Sequence, residues 1–266
     1  MEAAWGLGVS RIYLDFEDVK RYCDAVVWVR QQTSRVETKI FLATPRIQKV
    51  GEEGIFRLVE RAEPDGILIR NLGGIHYFNS SSLEKIGDFS LNVANPITAH
   101  YFIRQGLQGI TMSYDLNESQ ALDLLQKAPA NWFEITLHQH MPLFHMEHCV
   151  FAAFLSSGTD HTNCGRPCDR HEVQLRDRVG MEHPVVADVG CRNTMFHAKA
   201  QSGAHFFKEF MRVGVRDFRI EFLRETSEQT QQVIEAYLDL IHNRLYPVDL
   251  LKRLKVVQQL GVVHEG

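Results

Sequence analysis

The chain has 266 residues, of which 44% are hydrophobic and 23% charged, and its 29 basic and 33 acidic side chains give a net charge of −4. This composition excludes a disordered or collagen-like chain, and the lack of an apolar run of about 18 residues excludes a membrane-spanning helix. The mild acidity argues against a general nucleic-acid binder, so any RNA contact needs a local basic patch. The first residues lack the pattern of a secretory signal, and we expect a cytoplasmic or organelle-matrix protein.

Short β-rich runs alternate with helical patterns along the first half of the chain. The predicted strands are 11–16, 39–43, 66–70, 89–93, 109–113, 132–137 and, later, 218–222. The predicted helices are 18–32, 52–61, 97–105, 117–127, 198–213, 227–245 and 250–259. Strands separated by helices of this length indicate βαβ units and a parallel sheet. Six units before Leu137 favour a TIM-like (β/α) barrel, and no GxGxxG or GxxxxGK[ST] motif supports the rival open sheet.

The alternation breaks between residues 138 and 200. This segment contains a predicted helix at 147–155, a polar loop at 156–170 and β-like runs at 173–176 and 184–187. We therefore predict three parts: barrel units over 1–142, a cysteine-rich insertion over 143–200, and a last β/α unit with C-terminal helices over 201–266.

Four of the five cysteines are concentrated in this insertion. Cys149, Cys164, Cys168 and Cys191 have the spacing C-x14-C-x3-C-x22-C, whereas Cys23 stands alone in a helical pattern and is expected to be an ordinary core residue. Clustered cysteines in a chain without secretory features indicate metal or redox chemistry before disulfides. Zinc favours two closely spaced pairs, and the single pair here tilts the prediction toward an iron–sulfur cluster. Zinc and four unconnected thiols remain the alternatives.

Histidines and arginines supply further candidates near the cysteines. The histidines are His138, His140, His145, His148 and His161, and the arginines are Arg166, Arg170, Arg176, Arg178 and Arg192. Two rings at one strand end, on His138 and His140, suit a second metal site, although hydrogen-bonded or surface histidines explain them as well. The arginines either hold an anionic substrate or RNA backbone, or pair with neighbouring carboxylates.

Two charged residues are predicted inside the barrel. Arg219 and Glu221 alternate with apolar residues on the seventh strand, so both point inward, and a mutual ion pair is as good an explanation as a functional role. No GxSxG or HExxH motif supports covalent or zinc-dependent hydrolysis.

Five segments together resemble the U32, or collagenase-like, peptidase family. They are Met141-Pro-Leu-Phe144 leading to His148-Cys149, Asn163-Cys-Gly-Arg-Pro-Cys168, Leu175-Arg-Asp-Arg178, Ala187-Asp-Val-Gly-Cys-Arg-Asn193 and Phe218-Arg-Ile-Glu221. The resemblance implies that Cys149, Cys164, Cys168 and Cys191 ligate a four-iron four-sulfur cluster. It also implies oxygen-independent hydroxylation of tRNA uridine, ribosomal RNA cytidine or the ubiquinone ring, with prephenate as oxygen donor.

Two departures from the family pattern matter. The usual opening Glu-Leu-Leu-Ala-Pro-Ala-Gly strand is absent, so we expect either one part of a longer protein or an incomplete barrel that a partner closes. In addition, Ala152 stands where close relatives often carry a further cysteine, which leaves four ligands intact.

The functional prediction is therefore an iron–sulfur hydroxylation-type enzyme acting on RNA or a small aromatic molecule. Its substrate-binding candidates are Arg178, Arg192, Arg219, Glu221 and His140, and its expected partner is a prephenate-like anion. A peptidase, as the family name states, and a non-catalytic metal-stabilised binding domain are the two alternatives.

Overall fold

The computed structural model describes residues 1–32, 38–159 and 162–261. Its strands are β1 (Arg11–Leu14), β2 (Lys39–Ala43), β3 (Gly66–Ile69), β4 (Glu84–Gly87), β5 (Gly109–Thr111), β6 (Phe133–Gln139), β7 (Pro142–Met146), β8 (Val173–Arg176), β9 (Glu182–Asp188), β10 (Arg192–Phe196), β11 (Gln201–Ser202), β12 (Asp217–Ile220) and β13 (Val257–Gln258). Its α-helices are α1 (Glu2–Gly6), α2 (Arg21–Gln31), α3 (Glu53–Arg61), α4 (Leu72–Tyr77), α5 (Pro96–Arg104), α6 (Glu118–Lys127), α7 (Val150–Leu155), α8 (Phe207–Arg212), α9 (Ser227–Ile241) and α10 (Pro247–Leu254).

The central sheet is mostly parallel. Strands β1 to β6 lie side by side in chain order and alternate with helices, and β12 pairs in parallel with β6. The sheet curves so that β12 returns toward β1, where Arg11 Nη1 lies 3.9 Å from Asp217 Oδ1. No hydrogen-bonded ladder joins β12 to β1 among the described residues. This mixed α/β architecture is consistent with a partial TIM-like fold.

The sheet buries both of its faces, which explains its continuous apolar strands. On β2, Ile40 and Leu42 pack toward the helices in the main core, whereas Phe41 and Ala43 point to the inside of the curved sheet. We call this inside space the interior. Because successive side chains of a strand point to opposite faces, every second residue of each strand points into the interior.

A second sheet is inserted in the chain between β6 and β12. Its strands are antiparallel in the order β7-β10-β9-β8. Beside it lie α7 and the loop that carries Cys164 and Cys168, which we call the cysteine loop. A small apolar cluster of Phe151, Val185 and Met195 joins α7 to this sheet, with Cys149 and Cys168 packed against it. We call β7 to β10 the small sheet.

The predicted strand at 89–93 is wrong. Strand β4 is Glu84–Gly87, and Phe89–Leu91 form a 3₁₀ turn that ends at Asn92, whose backbone is left-handed at φ 54°. The strand carries two charges that obscure its apolar pattern. Both charged groups have partners in the folded chain: Glu84 pairs with Lys39 at 2.8 Å, and Lys85 Nζ donates to the Ser81 carbonyl at 2.9 Å.

Two predicted helices are also longer than the observed ones. In place of a helix over 198–213, the chain forms β11 and then α8, since Ser202 is fixed beside β6 and its hydroxyl bonds the Tyr237 hydroxyl at 2.6 Å. In place of a helix over 250–259, α10 ends at Leu254 because Lys255 adopts φ 54°. None of the described helices has both the length and the apolarity needed to cross a membrane.

Candidate functional site

The parallel strands end on one side of the central sheet, which we call the carboxyl face. Asp15, Arg70, Asp88, Tyr114 and Glu221 follow the ends of β1, β3, β4, β5 and β12 there. Ligands of parallel α/β folds bind outside the carboxyl ends of the strands. The carboxyl face is therefore where substrate-binding groups are expected.

Each of the four clustered cysteines sits at a structural boundary. Cys149 is the N-cap of α7, and its Sγ accepts a hydrogen bond from Ala152 N at 3.4 Å. Cys168 lies in the 3₁₀ turn Pro167–Asp169, directly after the Cys164 loop. Cys191 lies in the turn between β9 and β10. Caps and turns leave backbone N–H groups available, which stabilise negative charge on sulfur.

The turns that carry these cysteines need left-handed backbone. Gly165 and Arg166 have φ of 70° and 51°, and Gly190 and Cys191 have φ of 76° and 59°. A non-glycine residue in this region costs free energy and persists where the surroundings require it. Arg166 is held by a bidentate pair with Asp169, at 2.8 and 3.1 Å. Both cysteine turns are thus specific conformations rather than open loops.

Two of the four thiols are influenced by the charges of other cysteines in the set. Burial raises the pKa of Cys191, and the neighbouring Cys149 and Cys164 raise it further. Burial likewise raises the pKa of Cys168 to about 12, with Glu17 and Cys149 contributing. Thiols in this state stay protonated until a cation replaces the protons. Three of the four are half-buried, and Cys191 is exposed.

The sulfurs are nevertheless more widely spaced than a single zinc ion requires. Tetrahedral zinc with bonds of about 2.3 Å brings all four sulfurs within about 4 Å of one another. Among the described residues no three of the cysteine sulfurs lie within 4.8 Å of one another. The set that meets this spacing is Glu17, Cys168 and Asp169, and Cys168 Sγ lies 3.5 Å from Glu17 Oε1. Glu17 belongs to the loop after β1, so the cysteine loop contacts the carboxyl face.

Arg192 forms an ion pair that connects the small sheet to Glu52, at the start of α3 beside the central sheet. Its side chain is 1% exposed, donates from Nε to Glu147 at 2.9 Å, and binds both oxygens of Glu52 from Nη2 at 2.9 and 3.0 Å. Glu147 also pairs with Lys49. Arg192, a substrate-binding candidate, thus lies next to Cys191 with its donors directed at protein carboxylates.

Arg219 and Glu221 lie in the interior, within a buried polar network. Arg219 donates to Asp88 at 2.7 Å, to Glu134 at 2.6 Å, to Glu221 at 3.2 Å and to Thr111 at 2.8 Å. Burial opposes ionisation of Asp88, but Arg219 and Arg70 outweigh it and lower the pKa of Asp88. Burial outweighs Arg219 at Glu221 and raises the pKa of that carboxyl. The network holds the interior together and reaches the carboxyl face at Glu221.

The remaining candidates lie apart from the cysteines. Arg178 is exposed in the turn between β8 and β9. His140 follows β6, where its Nδ1 is 2.9 Å from the His197 carbonyl and its Nε2 is 3.5 Å from Glu225. Burial opposes protonation, but the hydrogen bond to Glu225 outweighs it and raises the pKa of His140, while the pKa of Glu225 falls to about 2 despite burial.

His138 and His140 lie in different environments. Its ring packs edge-on against Tyr237, and burial lowers the pKa of His138 to about 4. No described group of metal-binding side chains contains either histidine, and His161 lies outside the described residues.

Several charged groups at the carboxyl face were not predicted from the sequence. Arg70 directly follows β3, donates to Asp88 at 3.0 Å and to Asp15 at 2.7 Å, and is 6% exposed. Arg46 follows β2 and lies over the Phe89 ring at 5.2 Å. The sequence does contain a pattern that indicates such residues, because a charged residue shortly after an apolar strand lies at the carboxyl face.

The fold and site define a mixed α/β protein of partial TIM-like architecture with a cysteine-bearing small sheet over its carboxyl face. The family model described as Peptidase family U32 matches residues 25–253. The chain therefore belongs to the U32 peptidase family, which confirms the resemblance drawn from its motifs.

Two solved structures are similar to parts of the chain. The U32 peptidase Mk0906 matches with a TM-score of 0.37 and 14% identity over 50% of this chain and 57% of that one. A muconate cycloisomerase from Azorhizobium caulinodans matches with a TM-score of 0.38 and 15% identity over 52% of this chain and 42% of that one. The chain thus covers less than two thirds of either neighbour. No curated protein matches the chain.

Proposed function

We propose that the protein is an iron–sulfur enzyme that carries out oxygen-independent hydroxylation with a prephenate-like anion as oxygen donor. The observation that supports the proposal is that four cysteines lie in one insertion, where Cys149 and Cys164 influence Cys191 and where Cys168 contacts Glu17 at the carboxyl face. Two groups of a functional site are thereby adjacent, namely a set of metal-binding thiols and the strand ends of a parallel sheet.

The thiol set fits a multi-iron cluster. Four cysteine thiolates are the usual ligands of a four-iron cluster, and the arrangement of these sulfurs does not match a zinc tetrahedron. The cap at Cys149 supplies one backbone donor to its sulfur, from Ala152 N at 3.4 Å. When bound, such a cluster supplies Lewis-acid or electron-transfer chemistry.

The other groups of the chain have roles that follow from their positions. The interior network built on Arg219 fixes the orientation of Asp88 and Glu221, so that preorganised groups meet a ligand at the carboxyl face. The small sheet covers that face from the side and limits access of water. Arg192 fixes this cover by its two ion pairs with Glu52 and Glu147.

The first test is the metal content of protein purified without oxygen. We expect brown protein with about four irons and four sulfides per chain, because four thiolates hold one cubane cluster. Cys168→Ala should lose most of the iron, whereas Cys23→Ser, which is packed against the main core on α2, should retain it. Colourless protein with stoichiometric zinc would contradict the proposal.

The alternatives give different results. A peptidase would cleave gelatin or casein, and that cleavage would favour the family's traditional name over hydroxylation. A binding domain that uses the metal only for folding would hold the cluster, but its optical spectrum and stability would not change when prephenate is added. Our proposal expects prephenate to alter the spectrum of the bound cluster.

A further inference from the structure

Three buried nitrogen atoms lack a hydrogen-bond partner where the small sheet meets the carboxyl face. They are Arg46 Nε, Arg70 Nη1 and His145 Nε2. Buried polar atoms without partners are rare in folded proteins, because each costs about 1–3 kcal/mol of lost hydration. A group of them in one place therefore calls for an explanation.

Arg70 is the most deeply buried of the three. It is 94% buried, and two of its nitrogens are engaged with Asp88 and Asp15. The third, Nη1, has no partner among the described residues. Since the guanidinium is a planar fork, fixing Nε and Nη2 also fixes the direction in which Nη1 donates.

Arg46 and His145 are near neighbours of this guanidinium. Arg46 lies close enough to Asp88, the carboxylate bound by Arg70, to help lower the pKa of that carboxyl. His145 is on β7 of the small sheet, where its Nδ1 is 2.8 Å from Thr194 Oγ1 and 3.7 Å from Asp188 Oδ2. The charge of Asp188 in turn acts on Arg70.

The acidic groups of this region already have donors. Asp88 binds Arg70 and Arg219, Glu221 accepts from Tyr114 at 2.7 Å, and Asp188 accepts from Val189 N at 2.7 Å. In contrast, no described carboxylate lies within ion-pair distance of Arg46. The unused donor capacity therefore belongs to the Arg46 and Arg70 guanidinium groups, and Arg46 carries a positive charge with no ion-pair partner among the described residues. His145 Nε2 accepts a hydrogen bond when the proton of the neutral ring is on Nδ1, which faces Asp188.

Aromatic rings lie beside these donors. Phe89 stacks on Tyr114 with ring centres 4.0 Å apart, and the Arg46 guanidinium lies 5.2 Å from the Phe89 ring and 6.0 Å from the Phe196 ring. Phe196 ends β10, so the rings come from both the carboxyl face and the small sheet. Flat apolar faces next to guanidinium groups favour an unsaturated ring attached to an anionic group.

We infer that Arg46 and Arg70, with His145 beside them, form a carboxylate-binding site, closed by the small sheet, for a small anion with an unsaturated ring. The inference rests on the proposed function for the identity of its natural ligand, but it assigns the binding to residues outside the original candidates. A carboxylate is the matching group because it only accepts hydrogen bonds and its two oxygens fit the guanidinium fork.

The probe is sodium benzoate, added to the full chain purified without oxygen and followed by calorimetry. Benzoate should bind, whereas benzyl alcohol, with the same ring and no charge, should bind at least tenfold more weakly. Arg46→Gln should weaken benzoate binding about tenfold or more, since one charge-assisted hydrogen bond is lost. Arg104→Gln, on the outer helix α5, removes the same charge elsewhere and should leave the affinity unchanged.

Arg46 is the preferred position because it is half-exposed and the fold does not depend on an ion pair there. Arg70→Lys is the second variant, and it should weaken binding while retaining a charge beside Asp88 and Asp15. Equal benzoate affinity in wild type and Arg46→Gln, or equal affinity for benzoate and benzyl alcohol, would overturn the inference.

The same samples separate this inference from the proposed function. Benzoate binding in protein without iron would leave the carboxylate site intact and reject the cluster. Iron and sulfide in protein that does not bind benzoate would retain the cluster and reject the carboxylate site.

Discussion

Replacement of Arg219 tests whether the interior network stabilises the fold. The side chain is 5% exposed, and its nitrogens lie within 3.2 Å of the carboxylates of Asp88, Glu134 and Glu221. Removing one partner of a buried ion pair costs about 3–5 kcal/mol, because it leaves charge buried without compensation. The carboxylates retain other donors here, since Asp88 keeps Arg70.

We therefore expect Arg219→Met to lower the free energy of unfolding by about 3 kcal/mol, at the low end of that range. The measurement is urea unfolding followed by circular dichroism. Arg244→Met is the control, because the Arg244–Asp239 pair is exposed and such pairs contribute about 0–1 kcal/mol. If Arg219→Met is no less stable than Arg244→Met, the network does not stabilise the fold.

Two further predictions concern packing and pH. A methyl group at Gly66 would lie 2.2 Å from the Phe41 ring, so Gly66→Ala should cost about 1–3 kcal/mol in urea unfolding. Gly54→Ala in α3 should be neutral or stabilising, because the added methyl makes only an ordinary contact with Arg57 at 3.6 Å. Equal stabilities would refute the packing argument. The pair with Glu225 raises the pKa of His140 above its ordinary value of 6.5, so its stabilisation is complete below about pH 6.5 and decreases as the pH rises through the raised pKa. The stability difference between wild type and His140→Gln should therefore shrink from pH 6 to pH 9, and a constant difference would contradict it.

Most strands of the central sheet could be predicted from the sequence, because strands buried on both faces form continuous apolar runs. The predictions placed β2 and β3 with their apolar residues in the correct positions. Strand β4 was missed because Glu84 and Lys85 lie at its start. The ion-pair partner of Glu84, Lys39, is distant in sequence, and no local pattern reveals such a pairing.

The thiols of the candidate site could be predicted from the sequence, whereas its arginines could not. Cysteines are rare enough that clustering in sequence is informative, whereas arginine is common on any surface. Arg192 was selected from its position beside Cys191, and the structure directs its donors to protein carboxylates. The importance of Arg70 depends on one nitrogen without a partner, and only three-dimensional contacts reveal that property.

The most direct measurement is the iron and acid-labile sulfide content of the full chain purified without oxygen, compared with Cys191→Ser. We expect about four irons and four sulfides per wild-type chain and a large loss of both in the variant, because Cys191 supplies one of four ligands. Wild-type protein without iron and sulfide, or a variant with undiminished iron, would contradict a cluster held by these four thiols.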